Sequence, residues 1–236
     1  MKVLALDAAT EWCSVALWYE GALLEQESRA ERGHGDQLLA MVDALLAQSG
    51  LGLSGLDAIA FGRGPGAFTG LRLAASVTQG LAYSAGLPVI PISDLRALAE
   101  RGLSGAAPGA RALVCHDARM GEVYWAGFTS VDGHAAAATA EAVDRPETML
   151  ASAQAWVDAL PPAGTVAGVG SGFAVYPVLA TLGARLTPLL AEARPRAAEI
   201  AVLAVHDGLL TALPADQAWP VYVRNNVAVA TAARTG

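Results

Sequence analysis

The spacing of apolar residues changes several times along the chain, and each change predicts an element. Val3 to Leu6 is a short apolar run closed by an acid, and Asp7-Ala8-Ala9-Thr10 reads as a turn. Cys13 to Tyr19, Glu20-Gly21 and Ala22 to Glu27 predict a hairpin. From Gln37 the period lengthens. Leu38, Met41, Val42, Leu45 and Leu46 recur every three or four residues, Asp36 is placed to cap and Gly50 to terminate, which predicts an amphipathic helix. Asp57 to Phe61 is a further strand emptying into the glycine-rich stretch Gly62 to Gly70. A second helix is expected from about Thr69 to Ala85, stopped by Gly86 and Pro88, and Val89 to Ile92 resumes a strand. Strands and helices in this order predict an α/β sheet with parallel crossovers.

Gly102 to Gly109 reads as a linker, and beyond it the grammar restarts. Strand Ala112 to His116, turn Asp117-Ala118-Arg119-Met120-Gly121, strand Glu122 to Thr129 and a hairpin tip at Asp132-Gly133 come first. A helix from Pro146 to Leu160 carries proline at its first position. Thr165 to Ala167 then enters the run Gly168-Val169-Gly170-Ser171-Gly172, and helices from about Ala174 to Leu182 and Ala197 to Thr211 follow. Two lobes with a cleft between them are expected: residues 1–102 as the first, 103–205 as the second, and a segment from about 206 to 236 packing back on the first.

Composition narrows the function. With 236 residues, 54% of them apolar and 16% charged, the chain buries a core without needing a metal or disulfide. A net charge of −7, from 15 basic against 22 acidic residues, excludes a self-sufficient nucleic-acid binder. Lys2 is the only lysine, and the arginines are scattered rather than clustered. Cys13 and Cys115 sit in apolar runs as reduced core thiols. The charge-poor stretches Leu73 to Ser93 and Leu160 to Ala184 are broken by glycines and prolines, so no membrane span is expected and the reading is cytoplasmic. His34, His116, His134 and His206 have no metal-ligand spacing, so no metal site is expected. Ser171 lacks the flanking glycines of a nucleophile elbow, because Val169 and Phe173 stand there. No catalytic residue is singled out.

The chemistry-bearing candidates are few. Gly62 to Gly70, followed by a helix, suits either a bound anion approached by backbone amides or a tight strand-to-helix turn. Walker spacing and its lysine are absent. Asp7 and Thr10 suit a magnesium ion or phosphate, or a carboxylate capping its own turn; Asp117 and Arg119 are a similar pair in the second half. The second helix is small nearly all round, which lets another backbone come close.

Four segments together carry a resemblance. Asp7-Ala8-Ala9-Thr10, Gly64-Pro65-Gly66-Ala67-Phe68-Thr69-Gly70-Leu71-Arg72, Asp117-Ala118-Arg119-Met120-Gly121-Glu122-Val123-Tyr124 and Pro220-Val221-Tyr222-Val223-Arg224-Asn225-Asn226-Val227 resemble the bacterial TsaB (YeaZ) family over nearly the whole chain. Ala67 departs from the serine usual there. The resemblance implies an actin-like ATPase fold, with two lobes each built on a mixed β-sheet flanked by helices. It implies a non-catalytic scaffold in making threonylcarbamoyladenosine beside the tRNA anticodon. The partners would be the paralogue TsaD as a heterodimer and the ATPase TsaE, with a homodimer when alone and tRNA reached only indirectly. No cofactor of its own is expected, at most weak ATP or ADP at the partner interface, and little intrinsic activity. The partner surface on this reading is Leu38, Met41, Val42, Leu45, Leu71, Ala74, Ala75, Thr78, Leu81 and Ala82, with Ala75→Trp expected to break the complex and spare the fold. Asp7, Thr10, Gly64, Gly66, Thr69, Arg72, Asp117 and Arg119 would be a vestigial nucleotide or anion site. Competing readings are a small-molecule kinase of the same fold and a standalone anion-binding module.

Overall fold

The computed structural model describes residues 1–29, 34–160 and 165–224. Strand β1 (Val3–Asp7) pairs antiparallel with β2 (Trp12–Tyr19), and β2 pairs antiparallel with β3 (Ala22–Arg29). Helix α1 (His34–Ser49) leads to β4 (Ala58–Gly62), which joins β1 in parallel. Helix α2 (Phe68–Ala85) leads to β5 (Val89–Ile92), parallel to β4. The spatial order is β3-β2-β1-β4-β5.

Helix α3 (Asp94–Leu103) carries the chain to a second sheet. There β6 (Arg111–Arg119), β7 (Glu122–Val131) and β8 (His134–Ala137) run antiparallel, and β9 (Ala142–Asp144) pairs on β7. After α4 (Pro146–Asp158), β10 (Val166–Val169) adds to β6 in parallel; after α5 (Gly172–Val175), β11 (Leu186–Leu190) adds to β10 in parallel. The path β8-β7-β6-β10-β11 repeats the first sheet strand for strand and sense for sense. Two such sheets, each flanked by helices, are the two-lobed actin-like fold.

Packing explains the strand sequences. β1 is buried on both faces, so it reads as an unbroken apolar run rather than an alternation. Leu4 and Leu6 face α1 and α2, whereas Val3 and Ala5 face α6 (Ala197–Asp207) through Ala197, Ile200, Ala201 and Ala204. Helix α6, which follows the second sheet in sequence, thus lies on the first. In return α3 packs Leu95, Leu98, Ala99 and Leu103 on the second sheet, while α4 covers that sheet's other face with Met149, Ala153 and Val157.

Several boundaries differ from the sequence reading. Helix α3 was not expected. Asp36 lies in the first turn of α1 rather than at its cap. The helix expected over Ala174 to Leu182 is broken at Tyr176 and Pro177 into α5 and a 3-10 segment, because proline cannot continue a helical ladder. Gly208 ends α6, and a 3-10 turn covers Gly208–Thr211. No helix among the described residues is long and apolar enough to cross a membrane. Asn225, Asn226 and Val227 of the last quoted segment, and the rest of the chain to Gly236, lie outside the described residues.

Candidate functional site

The repeat sets two strand-end turns beside one cleft of about 660 Å³. Ala9, Thr10 and Trp12 line it from the β1–β2 turn; Asp117, Ala118 and Arg119 line it from the β6–β7 turn. Thr10 uses its hydroxyl to accept the Trp12 amide at 3.1 Å. Asp7 does not reach the cleft surface. It is 1% exposed, accepts the Ala9 amide at 3.1 Å and lies against the fully buried Asp94. Burial pushes both carboxyl groups up, Asp94 well up because Asp7 faces it. Asp94 also accepts the Gly64 amide. The pair therefore pins the end of β1, the glycine loop and the start of α3 together.

The glycines of that loop serve close backbone packing. A Cβ at Gly66 would stand 2.7 Å from the Ala9 carbonyl oxygen, one at Gly64 2.6 Å from the Val221 carbonyl oxygen, and one at Gly70 would collide with the Ala8 carbonyl. The Arg63 and Ala67 amides are bonded to the Ile92 and Ala9 carbonyls, both at 2.8 Å. These contacts are those of a tight strand-to-helix turn. Thr69 is exposed on the first turn of α2. Arg72, one turn on, lays its guanidinium 3.8 Å over the Phe68 ring and donates from Nε to the Tyr222 hydroxyl at 3.0 Å.

In the second lobe, Arg119 is 77% exposed, 3.3 Å from Asp117 and 3.7 Å across the cleft from Glu11. The Asp117 carboxylate also accepts the Tyr176 hydroxyl at 2.7 Å. Buried His116 is held down to about 4 by desolvation and is neutral; its Nδ1 lies 3.1 Å from the Ser171 hydroxyl oxygen, which itself accepts the Asp117 amide at 3.1 Å. Sequence reasoning missed this pair, whose members are far apart in the chain. The position of the Gly168–Gly172 loop, equivalent to the first-lobe loop, was the signal that it would reach a strand end. The other cleft arginines also face carboxylates of this chain: Arg194 meets Glu27 at 2.8 Å and Arg224 meets Glu122 at 2.5 Å. Among the described residues, each arginine that lines the cleft thus faces a carboxylate of this chain. Among the described residues no group of three or more His, Cys, Asp or Glu side chains is placed to hold a metal.

The helix pair requires a correction. Leu38, Met41, Val42, Leu45, Leu71, Ala74, Ala75, Thr78 and Ala82 are buried within this chain, and Leu81 is half-buried. All but Leu71 and Thr78 belong to the cluster that holds α1 and α2 on their own sheet, and all the buried ones are unavailable as a monomer's outer face. Periodicity identifies an apolar face on α1, and the resemblance placed the partner on it. The exposed face is the other one: Leu39, Ala40, Asp43, Ala44 and Ala47 on α1, with Thr69, Arg72, Ser76, Gly80 and Ser84 on α2. Asp36, Gln48, Phe68 and Tyr83 are exposed on the same helices, and between these larger side chains runs a stripe of small ones, Ala40, Ala44 and Ala47 on α1 with Ser76, Gly80 and Ser84 on α2. A Cβ at Gly80 would meet nothing within 4 Å.

Comparison with known proteins agrees with this architecture. The family model described as "TsaD: tRNA N6-adenosine threonylcarbamoyltransferase" matches residues 26–230. The chain is 38% identical over 232 residues to the tRNA threonylcarbamoyladenosine biosynthesis protein TsaB of Escherichia coli K12, covering 97% of this chain and 96% of that protein. It is 50% identical over 125 residues to the protein of the same name from Haemophilus influenzae, covering 53% of this chain and 52% of that one. The solved structure of YeaZ from Pseudomonas aeruginosa superposes with a TM-score of 0.77 at 39% identity, covering 94% of this chain and 99% of the other.

Proposed function

We propose that this chain, which belongs to the TsaB family, acts in tRNA threonylcarbamoyladenosine biosynthesis as a non-catalytic scaffold that docks on TsaD through the exposed face of α1 and α2. The observation that carries the reading is the exposed stripe of small residues, Ala40, Ala44, Ala47, Ser76, Gly80 and Ser84, on a helix pair already anchored to its sheet. A partner helix can approach such a face closely, and the Gly80 position leaves it room. The cleft points the same way. Its glycine loop is packed on this chain's own turn and its arginines face carboxylates, so the chain is not equipped to bind and turn over a triphosphate by itself. Transfer chemistry is left to TsaD, with TsaE and tRNA reaching this chain through that partner and any ATP or ADP weak and at the interface. Without the partner, the same face pairs two copies of the chain.

Gly80→Arg tests this directly. The new side chain has open space in the monomer, and removing a helix-interior glycine favours the fold by about 0.5–1 kcal/mol. The expected result is an unchanged or raised melting temperature, loss of co-elution with TsaD, and loss of threonylcarbamoyladenosine formation in the reconstituted reaction. Co-elution that survives the substitution overturns the docking face. Steady ATP turnover by the pure wild-type chain overturns the scaffold role.

A further inference from the structure

We propose that Trp219–Arg224 is a latch that holds the two lobes together across the cleft mouth, and that docking on α2 releases it. The second clause rests on the docking reading above; the first does not.

This stretch belongs to no strand or helix, yet it is tied at both ends. On the first lobe, the Val221 amide donates to the Arg63 carbonyl at 2.7 Å, and its own carbonyl lies over Gly64, where a Cβ would approach within 2.6 Å. The Tyr222 ring sits 5.3 Å from the Phe68 ring, and its hydroxyl accepts the Arg72 Nε at 3.0 Å. On the second lobe, Val223 packs against the apolar cluster formed by α3 and the second sheet. Arg224 donates to the Ala118 carbonyl at 3.0 Å and meets Glu122 at 2.5 Å, which holds both flanks of the β6–β7 turn. Within three residues the chain therefore passes from α2 to that turn. Val221 to Arg224 line the cleft that the passage closes.

The ties differ in strength. Arg224 is 17% and Glu122 33% exposed, so their ion pair is less screened by solvent than another bridge at this cleft, Arg119 to Glu11, which joins side chains 77% and 51% exposed over 3.7 Å. Opening the lobes must break the first-lobe tie or the second. Beside the Val221–Arg63 backbone bond, the first-lobe tie consists of the weaker side-chain contact, the Tyr222 stack, with both rings open to solvent, Phe68 at 48% and Tyr222 at 41%. That tie is also where docking acts. Arg72, Ser76 and Gly80 are spaced four apart and share one face of α2, so a partner seated on Ser76 and Gly80 reaches the Arg72 guanidinium and competes with Tyr222 for it. Linkage makes the effect reciprocal: whatever docking does to the latch, releasing the latch does to docking.

Hydrogen exchange on the isolated chain tests the latch, comparing wild type with Tyr222→Ala and Arg224→Ala. The expected result is exchange at least about tenfold faster at the amides of Ala118 to Glu122 in both variants, with the β1 amides Leu4 to Leu6 unchanged as the control for an intact fold. Turn amides that exchange at the wild-type rate in both variants overturn the latch. In the complex, TsaD should speed the same amides in wild type, and Tyr222→Ala should bind TsaD about fivefold or more tightly. Binding of TsaD that leaves both the turn and the affinity unaltered overturns the release by docking. Faster exchange in the variants together with no TsaD binding at all upholds the latch and removes the docking reading instead.

Discussion

Two carboxyl groups buried against each other set the pH response of this chain. Asp7 and Asp94 are excluded from solvent, and one oxygen of Asp94 has no hydrogen-bond partner. An acid whose folded pKa is raised stabilises the native state while protonated. That contribution is complete below the unfolded value of 3.8 and is lost as pH climbs through the folded value, which for Asp94 lies well above it. The melting temperature should therefore fall from mildly acidic to alkaline pH. Asp94→Asn should remove much of that slope, because an amide oxygen accepts from Gly64 while its NH₂ donates to Asp7 without carrying charge. At alkaline pH the variant should be more stable than wild type, read by denaturant titration at several pH values. A slope as steep as wild type would contradict the buried Asp7–Asp94 pair as its source.

At the scale of elements, α1 and α2 show what periodicity can and cannot say. The three- and four-residue spacing of Leu38, Met41, Val42 and Leu45 located α1 correctly. It could not say whether that stripe met the chain's own sheet or a partner, and on α2 the small side chains all round removed even the contrast between faces. The consequence is measurable. Ala75 is 4% exposed, so Ala75→Trp should overpack the core and cost about 1–3 kcal/mol or more, seen as a lowered denaturation midpoint, with any loss of the complex secondary to it. Other elements were hidden for local reasons. α3 spans ten residues with charged side chains among its leucines, and β11, Leu-Thr-Pro-Leu-Leu, has no clean alternation. Both hairpin turns were legible because Glu20-Gly21 and Asp132-Gly133 adopt the positive φ angles that such pairs favour. Of the site, the turns at Asp7 and Asp117 could be placed from sequence. The Asp7–Asp94 and His116–Ser171 contacts could not, since they join residues brought together only by the fold.

For the whole molecule, the repeated strand order conceals an exchange. Each half lends a helix to the other: α3, from the first half, covers the second sheet, and α6, from beyond the second, covers Val3, Ala5, Ala16, Ala58 and Ala60 of the first. A chain severed in the loop between Leu103 and Arg111 would therefore yield two pieces, neither with a complete core. Expressed apart, each should aggregate or remain unstructured; expressed together, they should recover the native circular dichroism spectrum as a noncovalent pair. Interlaced halves also resist being pulled into separate units during evolution. A chain whose halves have exchanged helices in this way cannot shed either half and keep a closed core, which fits a chain that keeps its second lobe while its proposed work is done on the outside of the first.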